Sequence, residues 1–192
     1  MQITRRAAAF VLSASLALAG ASAFAADKAP RVKFTTTLGE FVVEVYPDKA
    51  PKTVENFLTY VKAKHYDGTI FHRVIGHFMI QGGGYDANYN QKITRPPIAH
   101  EGATGVKNEA GTIAMARTND PNSATSQFFI NVADNSRLDP TGPNTGYVAF
   151  GKVVSGMDVV NKIKSVATGP GGPFPTDAPK TQVLIQSATL VP

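Results

Sequence analysis

The run from Tyr66 to Tyr85, YDGTIFHRVIGHFMIQGGGY, leaves this chain few ways to fold. Asp67-Gly68 is a turn signal. Thr69 to Ile75 is rich in β-branched and aromatic residues and reads as a strand. Gly76-His77 interrupts it, Phe78 to Gln81 forms a second extended run, and three glycines end that run. Side chains alternate along a strand, so Met79 and Gln81 share a face. One arginine, Arg73, and one amide, Gln81, sit among Phe71, Phe78, Met79 and Ile80. An apolar surface with a few fixed polar donors is the usual make-up of a small binding pocket.

The remaining segments are short and mostly extended. Val32 to Tyr46 reads as a hairpin, with Phe41, Val43 and Val45 alternating against Val42 and Glu44. Pro51 opens a first helix, whose Val54, Phe57, Leu58 and Val61 recur at the spacing of one buried face. Tyr85 to Lys107 is polar and irregular and reads as a long loop bordering a site. Gly111 to Ala116 is a strand, followed by the turn-rich loop Arg117 to Thr125. In the strand Ser126 to Val132, Phe128, Ile130 and Val132 face one way as core. Gln127, Phe129 and Asn131 face the other way, a mixed face that a plain barrel core would not require. Tyr147 to Val154 is a strand and Met157 to Val166 a second helix. Thr168 to Lys180, rich in Gly and Pro, reads as a loop, and Thr181 to Val191 as the last strand. Many short strands with two short helices imply an antiparallel barrel or sandwich.

Met1 to Ala25 has the three parts of a cleavable export signal. Arg5 and Arg6 are its charged start, Ala7 to Ala19 its apolar middle, and Ala23-Phe24-Ala25 its small-residue cleavage site, with Ala21-Ser22-Ala23 a second site of the same kind. The apolar stretch, about 13 residues, falls short of the ~20 that span a bilayer. Residues 26–192 then form one domain, exported and with no membrane attachment expected after cleavage. Loss of Arg5 and Arg6 lowers the formal net charge from +5 to +3, and no run of like charges remains, so nucleic acid is not an expected partner. The absence of cysteine excludes disulfides, thiol catalysis and thiolate metal sites. His65, His72, His77 and His100 have no metal-ligand spacing. Gly82-Gly83-Gly84 lacks the lysine and helix of a phosphate loop, and close backbone packing is the better reading. Ser126 lacks a nucleophile elbow.

Four motifs in order, FHRVI-x-x-FMIQGGG, GTIAMAR, SQFFIN and YVAFGKV, resemble the cyclophilin family of peptidyl-prolyl isomerases, from about Val32 to Leu190. The export signal and short loops resemble its bacterial periplasmic members in particular, which implies a periplasmic location. The resemblance implies a mainly β fold, a closed eight-stranded antiparallel barrel capped by two α-helices, with the site on its outer face. It implies that Arg73 is catalytic, that Phe78, Met79, Phe129 and Leu138 line a proline pocket, and that Gln81 binds peptide backbone. Ala116, Arg117, Thr118 and Gln127 would form a neighbouring groove, with His72 and Tyr147 at the pocket edge. The chain departs from the family pattern in three places: Gly76-His77 in the turn, Arg117 where asparagine is common, and Arg137 where an aromatic residue is usual.

The chemistry implied needs no cofactor, metal or nucleophile. Rotation about an X–Pro bond loses amide resonance against a barrier of ~18–20 kcal/mol. The twisted proline nitrogen accepts a hydrogen bond better than the planar one, so a donor placed there favours the transition state. The expected partners are proline-containing stretches of unfolded or partly folded exported proteins, and the expected state is a monomer. A second reading is a proline-binding or holdase-type chaperone whose isomerase activity is incidental; an intact Arg73 favours the enzyme.

Overall fold

The computed structural model describes residues 29–141 and 145–192. The signal segment Met1 to Ala25 lies outside the described residues. The chain runs β1 (Arg31–Thr36), β2 (Gly39–Val45), α1 (Pro51–Lys62), β3 (Thr69–Ile75), β4 (Met79–Asp86), β5 (Thr112–Met115), β6 (Phe128–Asn131) and β7 (Ala149–Ser155). It continues through α2 (Met157–Lys164), β8 (Thr168–Gly171), β9 (Phe174–Pro179) and β10 (Leu184–Val191). Eight strands close into an antiparallel barrel in the order β1-β10-β3-β4-β6-β5-β7-β2, as the resemblance implies. Closure leaves the barrel itself no edge strand to pair with another chain.

Alternation dictates the filling. Val32 and Phe34 of β1, Phe41, Val43 and Val45 of β2, and Phe128 and Ile130 of β6 all point into one core. Phe128 sits among four rings, with centroids 5.3 Å from Phe34, 6.2 Å from Phe57, 5.4 Å from Tyr66 and 6.1 Å from Phe71. The helices close opposite ends. α1 follows the end of β2 and buries Val54, Phe57 and Val61. α2 lies against Gly39 and Gly76, where β2 begins and β3 ends, and buries Val159, Val160 and Ile163. Ala50 supplies no side-chain cap to α1. Glu101, far along the chain, accepts from the Lys52 and Thr53 amides at 2.9 and 2.7 Å instead. A carboxylate there suits the helix dipole.

Two expectations are corrected. The glycines do not end β4, which continues to Asp86. A Cβ on Gly83 would lie 2.8 Å from the Tyr66 ring and 3.0 Å from the Phe128 ring, and one on Gly84 2.5 Å from Gln127 Cγ. The glycines admit neighbours from both faces of a continuing strand. Nor is Thr168 to Lys180 a loop: β8 and β9 pair as a separate two-stranded hairpin. Propensity misses it because what holds it is tertiary, chiefly Phe174 against His72 and Tyr85, with ring centroids 5.1 Å away in each case.

Truncating Phe128 removes the centre of the aromatic core. Phe128→Ala is expected to lower unfolding free energy by about 3–5 kcal/mol, read from a urea titration.

Candidate active site

The strands that fill the barrel carry a second apolar cluster on their outer side. Met79 of β4, Phe129 of β6, Ala114 of β5 and Ala149 of β7 form its buried base. These strands are successive neighbours, so the base is continuous. Phe78, Leu138, Tyr147, Ala116, Ile75 and Val106 pack around it. A cavity of about 340 Å³ opens over this cluster.

Arg73 reaches the cavity because β3 is bulged. Phe71 pairs with Gly82 and Arg73 with Gln81, leaving His72 as an extra residue in the ladder. That insertion keeps both Phe71 and Val74 in the core while His72 and Arg73 both line the cavity. Phe78 lies in the turn before β4, so it and Met79 can line the same cavity despite being adjacent. Gln81 Nε2 donates to Gln127 Oε1 at 2.9 Å, which orients both amides on the cavity wall.

Of the residues selected from sequence, His72, Arg73, Phe78, Met79, Gln81, Ala116, Arg117, Gln127, Phe129, Leu138 and Tyr147 line this cavity. Thr118 does not. It lines an adjoining groove of about 360 Å³ together with Ala116, Arg117, Gln81 and Gln127, and with Gln91 and Thr94 of the long loop. Arg117 stacks over Tyr147, 4.6 Å from the ring centroid, and donates to the Gly146 carbonyl from Nε at 3.0 Å and Nη2 at 2.8 Å. It thereby fixes Tyr147, whose ring meets Phe129 edge-on at 5.6 Å. Arg137 lies over the Phe78 ring, 4.7 Å from its centroid.

Sequence reasoning missed three features. Tyr85 lines the cavity but lay beyond the glycines read as the end of β4. Phe174 lines it too, and the one available signal was an isolated aromatic residue in a Gly- and Pro-rich segment. The third is a buried asparagine network behind the pocket. Asn135 Nδ2 donates to the Phe78 carbonyl at 2.8 Å and to Asn131 Oδ1 at 2.7 Å. Asn131 Nδ2 donates to Asn108 Oδ1 at 3.2 Å, and Asn108 Nδ2 to the Leu138 and Tyr147 carbonyls, each at 3.2 Å. Three walls of the pocket thus share one satisfied polar network.

The electrostatics are simple. His72 is 2% exposed and sits between Phe174 and Tyr85. Burial, and then the neighbouring Arg73 charge, push its pKa down to about 4. It is therefore neutral at physiological pH. The terminal amino groups of Arg73 make no hydrogen bond to another described residue, whereas those of Arg117 are engaged. Among the described residues, no group of three or more His, Asp or Glu side chains could hold a metal ion. The arrangement offers one available guanidinium over an apolar floor, beside an oriented amide.

Comparison with known proteins places this architecture. The family model described as cyclophilin type peptidyl-prolyl cis-trans isomerase/CLD matches residues 31–190. The chain is 52% identical over 162 residues to peptidyl-prolyl cis-trans isomerase B of Escherichia coli, covering 83% of this chain and 98% of that protein. It is 46% identical over 189 residues to peptidyl-prolyl cis-trans isomerase A of Dickeya dadantii, covering 98% and 99%. A crystal structure of a cyclophilin type isomerase from Cryptosporidium parvum, 25% identical, superposes with a TM-score of 0.69 over 85% of this chain and 98% of that one. With its closed barrel and its motifs in register, the chain belongs to the cyclophilin-type family. The reaction it catalyses is peptidyl-prolyl cis–trans isomerisation.

Because His72 has its pKa held below the unfolded value of about 6.5, the unfolded chain takes up that proton first. Stability should fall as pH drops from about 6.5 to 4 and level off below. The full contribution is roughly 3 kcal/mol. Acid titration of the Tm in His72→Gln should show a shallower fall. His65 and His100 are also held below the ordinary histidine value, chiefly by burial, and would supply the remainder.

Proposed function

We propose that Arg73 is the catalytic donor and that the enzyme assists the folding of exported proteins in the periplasm. The observation that carries the first part is the juxtaposition of Arg73 with the apolar base Met79, Phe129, Leu138 and Phe78. A proline ring seated on that base presents its nitrogen to the guanidinium. Twisting the X–Pro bond frees the nitrogen lone pair, and the Arg73 N–H donates to it. The apolar walls exclude water and strengthen that bond. Gln81, oriented by Gln127, anchors a substrate carbonyl on one side of the bond, so that rotation is confined to the other. Ala116, Arg117, Thr118 and Gln127 form the groove for the flanking peptide. The Cryptosporidium parvum protein has also been crystallised in the presence of the dipeptide Ala-Pro, a ligand of the class this reading requires.

Arg73→Ala should lower kcat/KM for a proline tetrapeptide by at least ~10²-fold, a loss of about 2.7 kcal/mol of transition-state stabilisation. Near-wild-type turnover in a folded variant would remove Arg73 from the mechanism. Activity of the wild type should be flat between about pH 6 and 8, since neutral His72 transfers no proton. The same variant separates isomerase from holdase: a role in the cell that survives Arg73→Ala is a binding role.

The export part of the reading rests on the three-part signal in Met1 to Ala25. Mass spectrometry of the fractionated native host should find a chain starting near Ala26 in the periplasm. Full-length protein confined to the cytosol would exclude this location. Among the described residues no helix is long and apolar enough to cross a membrane.

A further inference from the structure

We propose that Asp177, on the hairpin outside the barrel, is a positioning residue for Arg73, which makes β8–β9 part of the catalytic apparatus. This inference rests on the reading of Arg73 as the donor. The Asp177 carboxylate oxygen Oδ2 stands 3.7 Å from Arg73 Nε. It engages the inner edge of the guanidinium, and the terminal amino groups remain without a hydrogen-bond partner among the described residues. A planar fork can be held at one edge while the other donates.

Three observations argue that this contact is built rather than incidental. First, Asp177 has φ +65°, a left-handed conformation that glycine adopts more readily. Asp occupies that position although the hairpin is otherwise glycine-rich. Second, the hairpin is clamped. Phe174 stacks on His72, the residue preceding Arg73, meets Tyr85 edge-on, and lies 6.1 Å from Tyr89. Ala178 and Pro179, which follow Asp177, are buried. The carboxylate is therefore presented from a fixed platform. Third, the side chains are 42% and 33% exposed. An ion pair that open contributes little to folding. Its effect falls on where the guanidinium spends its time. A free arginine side chain samples many rotamers, and ordering it only in the transition state costs free energy that prior ordering avoids.

The variants follow from the backbone. Asp177→Asn keeps size and tolerance of positive φ but loses the charge; Asp177→Gly suits the backbone conformation and loses the side chain. Both should keep the wild-type Tm within a few degrees, while kcat falls about 10-fold with KM little changed. The Arg73 Nε–Hε resonance, ordered in the wild type, should show a lowered order parameter in both. In an Arg73→Ala background, assayed at high enzyme concentration, Asp177→Asn should have no further effect. Wild-type kcat in Asp177→Asn and Asp177→Gly would overturn the inference, as would an equal loss with and without Arg73. A silent Arg73→Ala would instead overturn the assignment of the donor itself, so the two failures are distinguishable.

Discussion

Everything in this molecule depends on four adjacent strands being apolar on both faces. A strand offers its alternate residues to opposite sides, and in β6 both sides carry a phenylalanine. Phe128 goes inward among Phe34, Phe57, Tyr66 and Phe71; Phe129 goes outward beside Met79 and Ala114. The inner cluster holds most of the large side chains, each contributing roughly 1.5–3 kcal/mol on burial. The fold is thereby stabilised from inside, and the outer cluster can remain open at the top. Alanines at 114 and 149 in its base leave depth for a ring to enter.

An enzyme that breaks no covalent bond has only position and electrostatics to work with. That explains why so much of the structure stands behind the pocket rather than in it. The asparagine network ties the Phe78 turn, the Leu138 turn and Tyr147 to the end of β6. Arg117 fastens Tyr147 from the opposite side. The Phe174 hairpin closes the wall behind His72. The asparagines of this network carry no titratable group, which suits a reaction without proton transfer.

The sequence was most legible where periodicity was strong. Thr69 to Ile75 matches β3 end for end, Val54, Phe57 and Val61 of the α1 stripe are buried with Leu58 partly so, and Phe128 and Phe129 take the two faces of β6 that alternation gives them. Legibility failed where geometry departs from regular repeats. Nothing in strict alternation tells that His72 is an extra residue, yet that bulge lets Arg73 reach the outer face. Glycine normally weakens a strand, so the sequence signal for β4 stops at Gly82, short of Tyr85, while the strand runs to Asp86. The hairpin of β8 and β9 has poor local propensity and exists because Phe174 has somewhere to dock. The Asn108, Asn131 and Asn135 network is not legible in the sequence: Asn131 shows only as a polar residue on the mixed face of its strand, and its partner Asn108 comes from 23 residues earlier in the chain.

The choice of arginine rather than lysine at position 73 follows from the same geometry. A lysine presents one compact ammonium whose three N–H donors rotate about a single bond, so a contact to one does not fix the direction of the others. On the proposed reading of Arg73 as the donor, the guanidinium separates the two tasks of being held and donating. Its Nε edge faces Asp177 at 3.7 Å, while its terminal amino groups, without a hydrogen-bond partner among the described residues, would serve the substrate. His72 contributes by staying neutral next to it. A protonated imidazole there would set a second positive charge beside the first, in a buried place, and compete for the same developing electron density. Burial against Phe174 and Tyr85 prevents this, and so the aromatic wall that steadies the hairpin also keeps a second charge from forming at His72, beside the proposed donor Arg73.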